Sequence, residues 1–153
     1  MLLSDGLNNY LFTGDLEGGG EKSLIENNNL PKCKLFKGGH HGSPTSSTAD
    51  LLKVIQPEIV CVCCCCGNDV EYNYSIENMF PSQAFVDRVG IYTSQIYVTT
   101  LYDKATKKGV SMNGNIVISA KSGVVSVNCS NNNTIFKETA WFREYRTWPK
   151  CGK

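Results

Sequence analysis

Two short segments of the chain carry residues that could do chemistry, each directly after a strand-like apolar run. In residues 11–15, Leu-Phe-Thr-Gly leads to Asp15, and in residues 37–43, Lys-Gly-Gly leads to His40 and His41. These are the two histidines of the protein. A carboxylate at the carboxyl end of a strand can lean over the sheet edge into a cleft, where it can bridge two divalent metal ions. The spacing therefore predicts a shared metal-binding or proton-transferring site.

A simpler interpretation exists for each segment taken alone. Thr-Gly-Asp is also an ordinary strand-to-turn signal, in which Asp15 only caps the following helix. His40 and His41 could be loop residues, one exposed and one packed. The joint occurrence of the two segments favours the site.

Three serines follow the histidines and could bind an anion. The glycines beside them allow close approach of the backbone, and the next helix begins shortly afterwards. We therefore expect Ser43, Ser46 and Ser47 on the substrate-binding side of the site.

Strand-like and helix-like segments alternate through the first two thirds of the chain. The predicted strands are residues 10–13, 34–37, 59–66 and 96–100, and the helices are residues 21–27, 51–55 and 81–89. Gly18 to Gly20 are predicted as a flexible joint, and residues 47–50 as a capping box. A polar loop is expected from residue 67 to residue 79. This alternation predicts an α/β fold with parallel strand pairing.

The pattern changes after residue 100. Residues 115–119 and 124–127, around a turn at 121–123, predict a β-hairpin with alternating burial. The chain then ends in an aromatic and basic tail that contains Trp141, Phe142, Arg143, Tyr145, Arg146 and Trp148.

The composition indicates a single domain over residues 1–153. The net charge is +1, so no overall field favours nucleic acid or an anionic membrane. No apolar run approaches the roughly 18–20 residues that a membrane span needs. The first residues lack the features of a signal peptide, so a cytoplasmic location is the default expectation.

Eight cysteines are present, and five of them fall within residues 61–66. Neighbours along a strand point to opposite faces, which suits small buried thiols better than several disulfides. A metal knuckle is the alternative, because Cys61 with Cys64, or Cys63 with Cys66, has the required spacing. The tight turn of a knuckle is missing until Gly67, so we favour the buried strand.

Several motifs in order resemble the metallo-β-lactamase-fold hydrolases. They are Leu-Phe-Thr-Gly-Asp-Leu-Glu, Lys-Leu-Phe-Lys-Gly-Gly-His-His-Gly-Ser-Pro-Thr-Ser-Ser, Gln56-Pro57-Glu58 and a strand that ends at Gly67-Asn68. The resemblance covers residues 10–100 and is strongest to the hydrolase domain attached to the DNA-uptake channel protein ComEC and to its free-standing relatives. Residues 101–153 add the hairpin and the tail.

The resemblance implies an αββα sandwich with a dinuclear zinc or manganese site at the sheet edge. Asp15 matches the metal-bridging aspartate of the family, and His40 and His41 correspond to a ligand and a proton donor, in either order. Asn68 falls where the family's next strand ends, on the substrate side.

The chain departs from the family pattern at two places. The His-x-His-x-Asp-His signature belongs well upstream of Asp15, and here fourteen residues precede that aspartate. We therefore expect the carboxyl-terminal half of such a domain, with an upstream domain or chain completing the site. Relatives also carry Gly-His-Pro where this chain has Asn78-Met79-Phe80-Pro81, and phenylalanine cannot bind a metal or carry a proton.

Two functional hypotheses follow. The first is metal-dependent hydrolysis of a phosphodiester or related ester, in a small molecule or a nucleic acid, with Asp15, His40 and His41 at the metal. The second is a non-catalytic binding or structural module. In that case the tail could stack on bases or grip phosphates of a nucleic acid through Trp141, Phe142, Arg143, Arg146 and Trp148. The simpler interpretation of the tail is a helix that docks its aromatic side chains onto the core.

Overall fold

Four parallel strands form the middle of a six-stranded sheet. The structure, a computed structural model, describes residues 1–67 and 79–153. The strands lie side by side in chain order: β1 Leu2–Ser4, β2 Asn9–Phe12, β3 Leu35–Lys37, β4 Ile59–Cys66, β5 Ile96–Asp103 and β6 Lys108–Ser111. Strands β2 to β5 pair in parallel, whereas β1 and β6 are antiparallel at the edges. The predicted α/β fold and its parallel pairing are confirmed.

Helices and a hairpin flank this sheet. The helices are α1 Gly18–Asn27, α2 Ala49–Ile55, α3 Gln83–Val89 and α4 Ala140–Tyr145, with short 3₁₀ turns at Gly39–Gly42 and Phe136–Glu138. The hairpin pairs β7 Ile116–Lys121 with β8 Val124–Cys129, as predicted. In the described ranges, no helix has the length and apolar character that a bilayer span requires.

The two faces of the sheet carry different cores, because successive strand residues alternate between them. Phe36 of β3 and Val60 of β4 join the helices in the larger core. Leu35 and Cys61, their neighbours along the same strands, pack under the β7–β8 hairpin in a smaller one. The described helices contribute to the first face, so the αββα sandwich stays a prediction.

Two details of the first helices differ from the sequence predictions. The predicted flexible joint is the first turn of α1, because the Gly18 N–H donates to the Thr45 carbonyl at 3.1 Å and Glu21 is buried in the same turn. These tertiary contacts override the low helix propensity of glycine. The capping box is also shifted, since Thr48 is the N-cap of α2 and its hydroxyl accepts from the Leu51 N–H at 3.4 Å.

The edge strands β1 and β6 were not predicted. Every residue of both strands is exposed, so neither shows the alternating burial that marks a strand in a sequence. Asn68 and most of the predicted polar loop lie outside the described residues.

The tail packs against the body of the protein. Trp141 and Phe142 of α4 are buried. Trp141 stacks on Phe136 with ring centroids 5.8 Å apart, and Phe142 meets Phe136 edge-to-face at 5.1 Å. The interpretation of the tail as a docked helix is confirmed for these residues.

The cysteine-rich segment is a strand, as predicted, with an irregular register between Val62 and Cys65. Cys61 and Cys66 are buried, whereas Cys63 is exposed. Burial raises the pKa of the Cys61 thiol from 9.0 to about 12, and the neighbouring thiols of Cys63 and Cys129 add to the shift. Burial likewise raises the pKa of Cys66. These thiols therefore stay protonated and apolar in the folded protein.

The raised pKa of Cys61 predicts a loss of stability at alkaline pH. Between pH 9 and about 12 the unfolded thiol releases its proton while the folded thiol keeps it, so rising pH favours unfolding. The free energy of unfolding, measured by urea denaturation from pH 8 to pH 11, should fall less steeply in Cys61→Ala than in the natural chain. Cys151→Ala, at an exposed thiol, should leave the slope unchanged. Equal slopes for Cys61→Ala and the natural chain would contradict this prediction.

Candidate active site

The two predicted segments meet at the carboxyl edge of β2 and β3. Asp15 follows β2 after Gly14, whose φ is +63°. His40 and His41 lie in the turn after β3 with φ values of +43° and +58°, a left-handed conformation that is uncommon for residues other than glycine. The His40 N–H donates to the Gly14 carbonyl at 3.0 Å. This hydrogen bond ties the histidine turn directly to the aspartate segment.

The His41 ring is oriented by a backbone carbonyl. Its Nδ1 lies 2.6 Å from the carbonyl oxygen of Cys63, and its Nε2 lies 3.6 Å from Asp15 Oδ1. A carbonyl oxygen can only accept, so Nδ1 carries the hydrogen and Nε2 of the neutral ring is a lone pair. That lone pair faces a carboxylate. Such an arrangement is satisfied by a proton or a metal cation between the two atoms.

The His40 ring is paired with a different carboxylate. His40 Nδ1 lies 3.3 Å from Glu17 Oε1, which also accepts from the Thr45 hydroxyl at 2.8 Å. His40 Nδ1 is buried and makes no hydrogen bond among the described residues. We did not predict Glu17 from the sequence. Its only signal is its position two residues after Asp15, as the N-cap of α1.

The ring of Phe80 packs against one side of the candidate site. Its ring centroid lies 6.1 Å from that of His40 and 6.4 Å from that of His41, nearly parallel to the latter. Arg146 of the tail fixes the flanking backbone, because its guanidinium donates to the carbonyls of Met79 at 2.5 Å and Pro81 at 2.9 Å. An apolar ring thus packs beside both imidazoles.

The three predicted serines are built into the loop that carries the histidines. The Ser46 hydroxyl donates to the Gly39 carbonyl at 2.7 Å, and the Gly39 N–H donates to the Ser47 hydroxyl at 3.1 Å. Ser43 Oγ lies 2.8 Å from Thr45 Oγ1. All three serines are buried. Their role in binding a substrate anion stays a prediction, and the contacts seen here fix the shape of the turn.

Glu21 and Arg88 hold this loop by hydrogen bonds to its backbone. The fully buried carboxylate of Glu21 accepts from the N–H groups of Ser47 and Thr48, both at 2.7 Å. Arg88 of α3 donates to the carbonyls of Ser46 and Ser47 at 2.8 Å and of Pro44 at 3.1 Å. Burial lowers the pKa of Arg88, and the charge of Glu21 opposes that shift. We call Glu21 and Arg88 the loop brace.

The donor atoms form two pairs. Two ligands about 2.1 Å from one tetrahedral zinc ion lie roughly 3.4 Å apart, and both pairs, at 3.3 and 3.6 Å, are close to that separation. A catalytic zinc site takes three protein ligands. In residues 1–67 and 79–153, no group of three or more metal-ligating side chains is present. These residues therefore fit part of a metal site and do not complete one.

One comparison with known proteins finds a relative. A stretch of 62 residues is 36% identical to part of Recombination protein 2 of Haemophilus influenzae. This stretch makes up 40% of the present chain and 8% of the relative. No family model matches the chain. No solved structure matches it either. The similarity is therefore to a small part of a much longer protein, which is named for recombination. The hydrolase activity, the zinc ion and the αββα sandwich are not tested by this similarity and stay predictions.

The loop brace predicts a large stability difference between two glutamates of α1. Glu21→Ala leaves the N–H groups of Ser47 and Thr48 without their carboxylate partner, which costs about 2–5 kcal/mol. Glu26→Ala removes only an exposed ion pair with Lys22 on the same helix, at a cost of about 0.5 kcal/mol or less. Urea denaturation of both variants checks the prediction. Equal losses of stability would show that the brace carries no special weight.

The support under Phe80 predicts a similar contrast in the tail. Arg146→Met leaves the carbonyls of Met79 and Pro81 unpaired, and we expect a loss of about 2–4 kcal/mol and altered ring proton shifts of His40 and His41 in NMR spectra. Arg143→Met, at an exposed position of the same helix, should change stability by no more than about 0.5 kcal/mol. Unchanged histidine shifts in Arg146→Met would contradict this coupling.

Proposed function

We propose that this chain forms part of a metal-dependent hydrolase of phosphodiester or related ester bonds, with the metallo-β-lactamase-type αββα architecture. The single observation that carries the proposal is the His41 ring, held by the Cys63 carbonyl with its lone-pair nitrogen toward Asp15. Metal-binding histidines commonly donate their other ring N–H to a backbone carbonyl in this way. In the proposal the remaining ligands come from an upstream domain or another chain.

The two histidines take different roles in this proposal. Asp15 and His41 contribute ligands to a zinc or manganese ion, which when bound lowers the pKa of a coordinated water toward neutrality. His40, whose Nδ1 lies 3.3 Å from Glu17 Oε1, takes the role of proton donor. The proton of His40 is then available to a leaving group. Ser46 and Ser47 position the turn, while Ser43 and Asn68 remain candidates for contact with substrate.

The similarity to Recombination protein 2 supports a phosphodiester as the substrate. Recombination is chemistry on nucleic acid, and the stretch that is 36% identical covers 40% of this chain. The net charge of +1 gives no overall attraction to a polyanion. Recognition of such a substrate therefore has to be local, at the edge of the sheet where Asp15 and the histidines lie.

A non-catalytic binding module is the second candidate function. The observation that favours it is Phe80, whose apolar ring packs on both imidazoles at the place of a family histidine. In this alternative the fold has kept its shape while the site has lost the ability to hold a metal ion.

Paramagnetic broadening by Mn²⁺ tests the first proposal in the chain as it exists. Because a manganese ion broadens nearby NMR signals even when it binds weakly, we expect selective loss of the His41 ring signals in the natural chain. Asp15→Asn should weaken this binding about 10–100-fold. Asp50→Asn, which removes an acidic residue in the first turn of α2, should behave like the natural chain.

Each outcome separates the two candidate functions. Absence of selective His41 broadening, or equal broadening in Asp15→Asn, would overturn the metal site. Nucleic-acid binding that weakens with salt, without hydrolysis and without broadening, would favour the binding module.

A further inference from the structure

A groove on the hairpin face of the sheet lies next to the candidate active site. Its volume is about 420 Å³, within the range of roughly 300–1,000 Å³ typical of small-molecule sites. It runs between the strand ends and the β7–β8 hairpin, and its walls include Phe12, Lys37, Cys63, Thr99, Ile116 and Ile118. The candidate active site described above uses none of these side chains.

The strand register aligns this groove with the histidine turn. Phe12 is the register partner of Lys37, and Lys37 is the partner of Cys61. Lys37 is the last residue of β3, directly before the Gly38-Gly39 link to the histidines. Cys63 belongs to both places, because its side chain lines the groove while its carbonyl accepts from His41. The groove therefore opens at the same edge of the sheet as the paired carboxylates and imidazoles.

Lys37 gives the groove a positive charge that the described residues do not neutralise. Lys34, three residues earlier, is paired with Glu58. Lys37 is half-buried, and within residues 1–67 and 79–153 it has no ion-pair partner. Thr99, a polar residue of the groove wall, is already hydrogen-bonded to the backbone, because its hydroxyl donates to the Cys64 carbonyl and accepts from the Cys64 N–H. A half-buried ammonium among apolar walls is complementary to an anion that carries an apolar group.

We propose that this groove binds a small phosphate ester with an aromatic organic part, with Lys37 at the phosphate oxygens and the aromatic group between Phe12 and the hairpin isoleucines. The choice of a phosphate ester, rather than another anion, rests on the proposed function. Occupancy of the groove by an aromatic anion needs neither a bound metal nor turnover. The proposal thus adds a specificity-determining cation and an aromatic preference to the candidate site.

Phenyl phosphate and methyl phosphate are the probes for this groove. Titration into the full chain, labelled at the isoleucine δ1 methyl groups, should show phenyl phosphate shifting Ile116 and Ile118 and leaving Ile91 unchanged. Methyl phosphate should bind at least tenfold more weakly, because it lacks the aromatic contact. Lys37→Met should raise the Kd for phenyl phosphate at least tenfold, and Lys37→Arg should retain most of the binding. Lys34→Met serves as the matched control and should leave the Kd unchanged.

Three results would each overturn the proposal: equal affinity for the two esters, an unchanged Kd in Lys37→Met, or shifts confined to isoleucines outside the groove. These readouts are independent of the manganese experiment. Normal phenyl phosphate binding without His41 broadening would refute the metal site alone. Selective His41 broadening by Mn²⁺, without shifts at Ile116 and Ile118 on addition of phenyl phosphate, would refute the groove alone.

Discussion

The buried carboxylate of Glu21 is the contact on which the local structure of the site depends. It binds the backbone at Ser47 and Thr48, where α2 begins, while Arg88 binds the carbonyls just before that point. Ser46 and Ser47 then bind both backbone groups of Gly39, the residue before the histidines. Glu21 and Arg88, which lie in the helical layer, are thereby connected through four hydrogen-bonded residues to a strained turn that carries two imidazoles.

Parallel pairing supplies the other constraint. Because β2 and β3 run in the same direction, the residues that follow them emerge at one edge. This brings Asp15 and His41 together, although α1 and β3 lie between them in the chain. Antiparallel pairing would have placed them at opposite ends of the sheet. The side-chain alternation of the same strands sends Lys37 to the hairpin face and Phe36 to the helical face.

The strands and helices with buried, periodic side chains could be predicted from the sequence, and so could the proximity of Asp15 to the histidines. What escaped prediction depended on tertiary contacts. The glycines of α1 become helical only because Glu21 and Thr45 anchor that turn. Glu17 joins the site only because α1 starts beside the histidine turn. The exposed edge strands carry no burial pattern, and the hydroxyls of Ser46 and Ser47 gave no sign that they face the backbone.

The orientation of the His41 ring leaves two hydrogen-bond acceptors facing each other in the site. With Nδ1 of His41 donating to Cys63, the neutral ring turns a lone pair toward Asp15, and two acceptors 3.6 Å apart attract a cation. A single proton on Nε2 is enough to satisfy them as an imidazolium–carboxylate pair. A divalent ion would bind tightly only with a third protein ligand in addition to Asp15 and His41. The Phe80 ring, which lies beside His41, cannot supply that ligand. In the proposed metal site, the third donor would therefore have to come from outside this histidine turn.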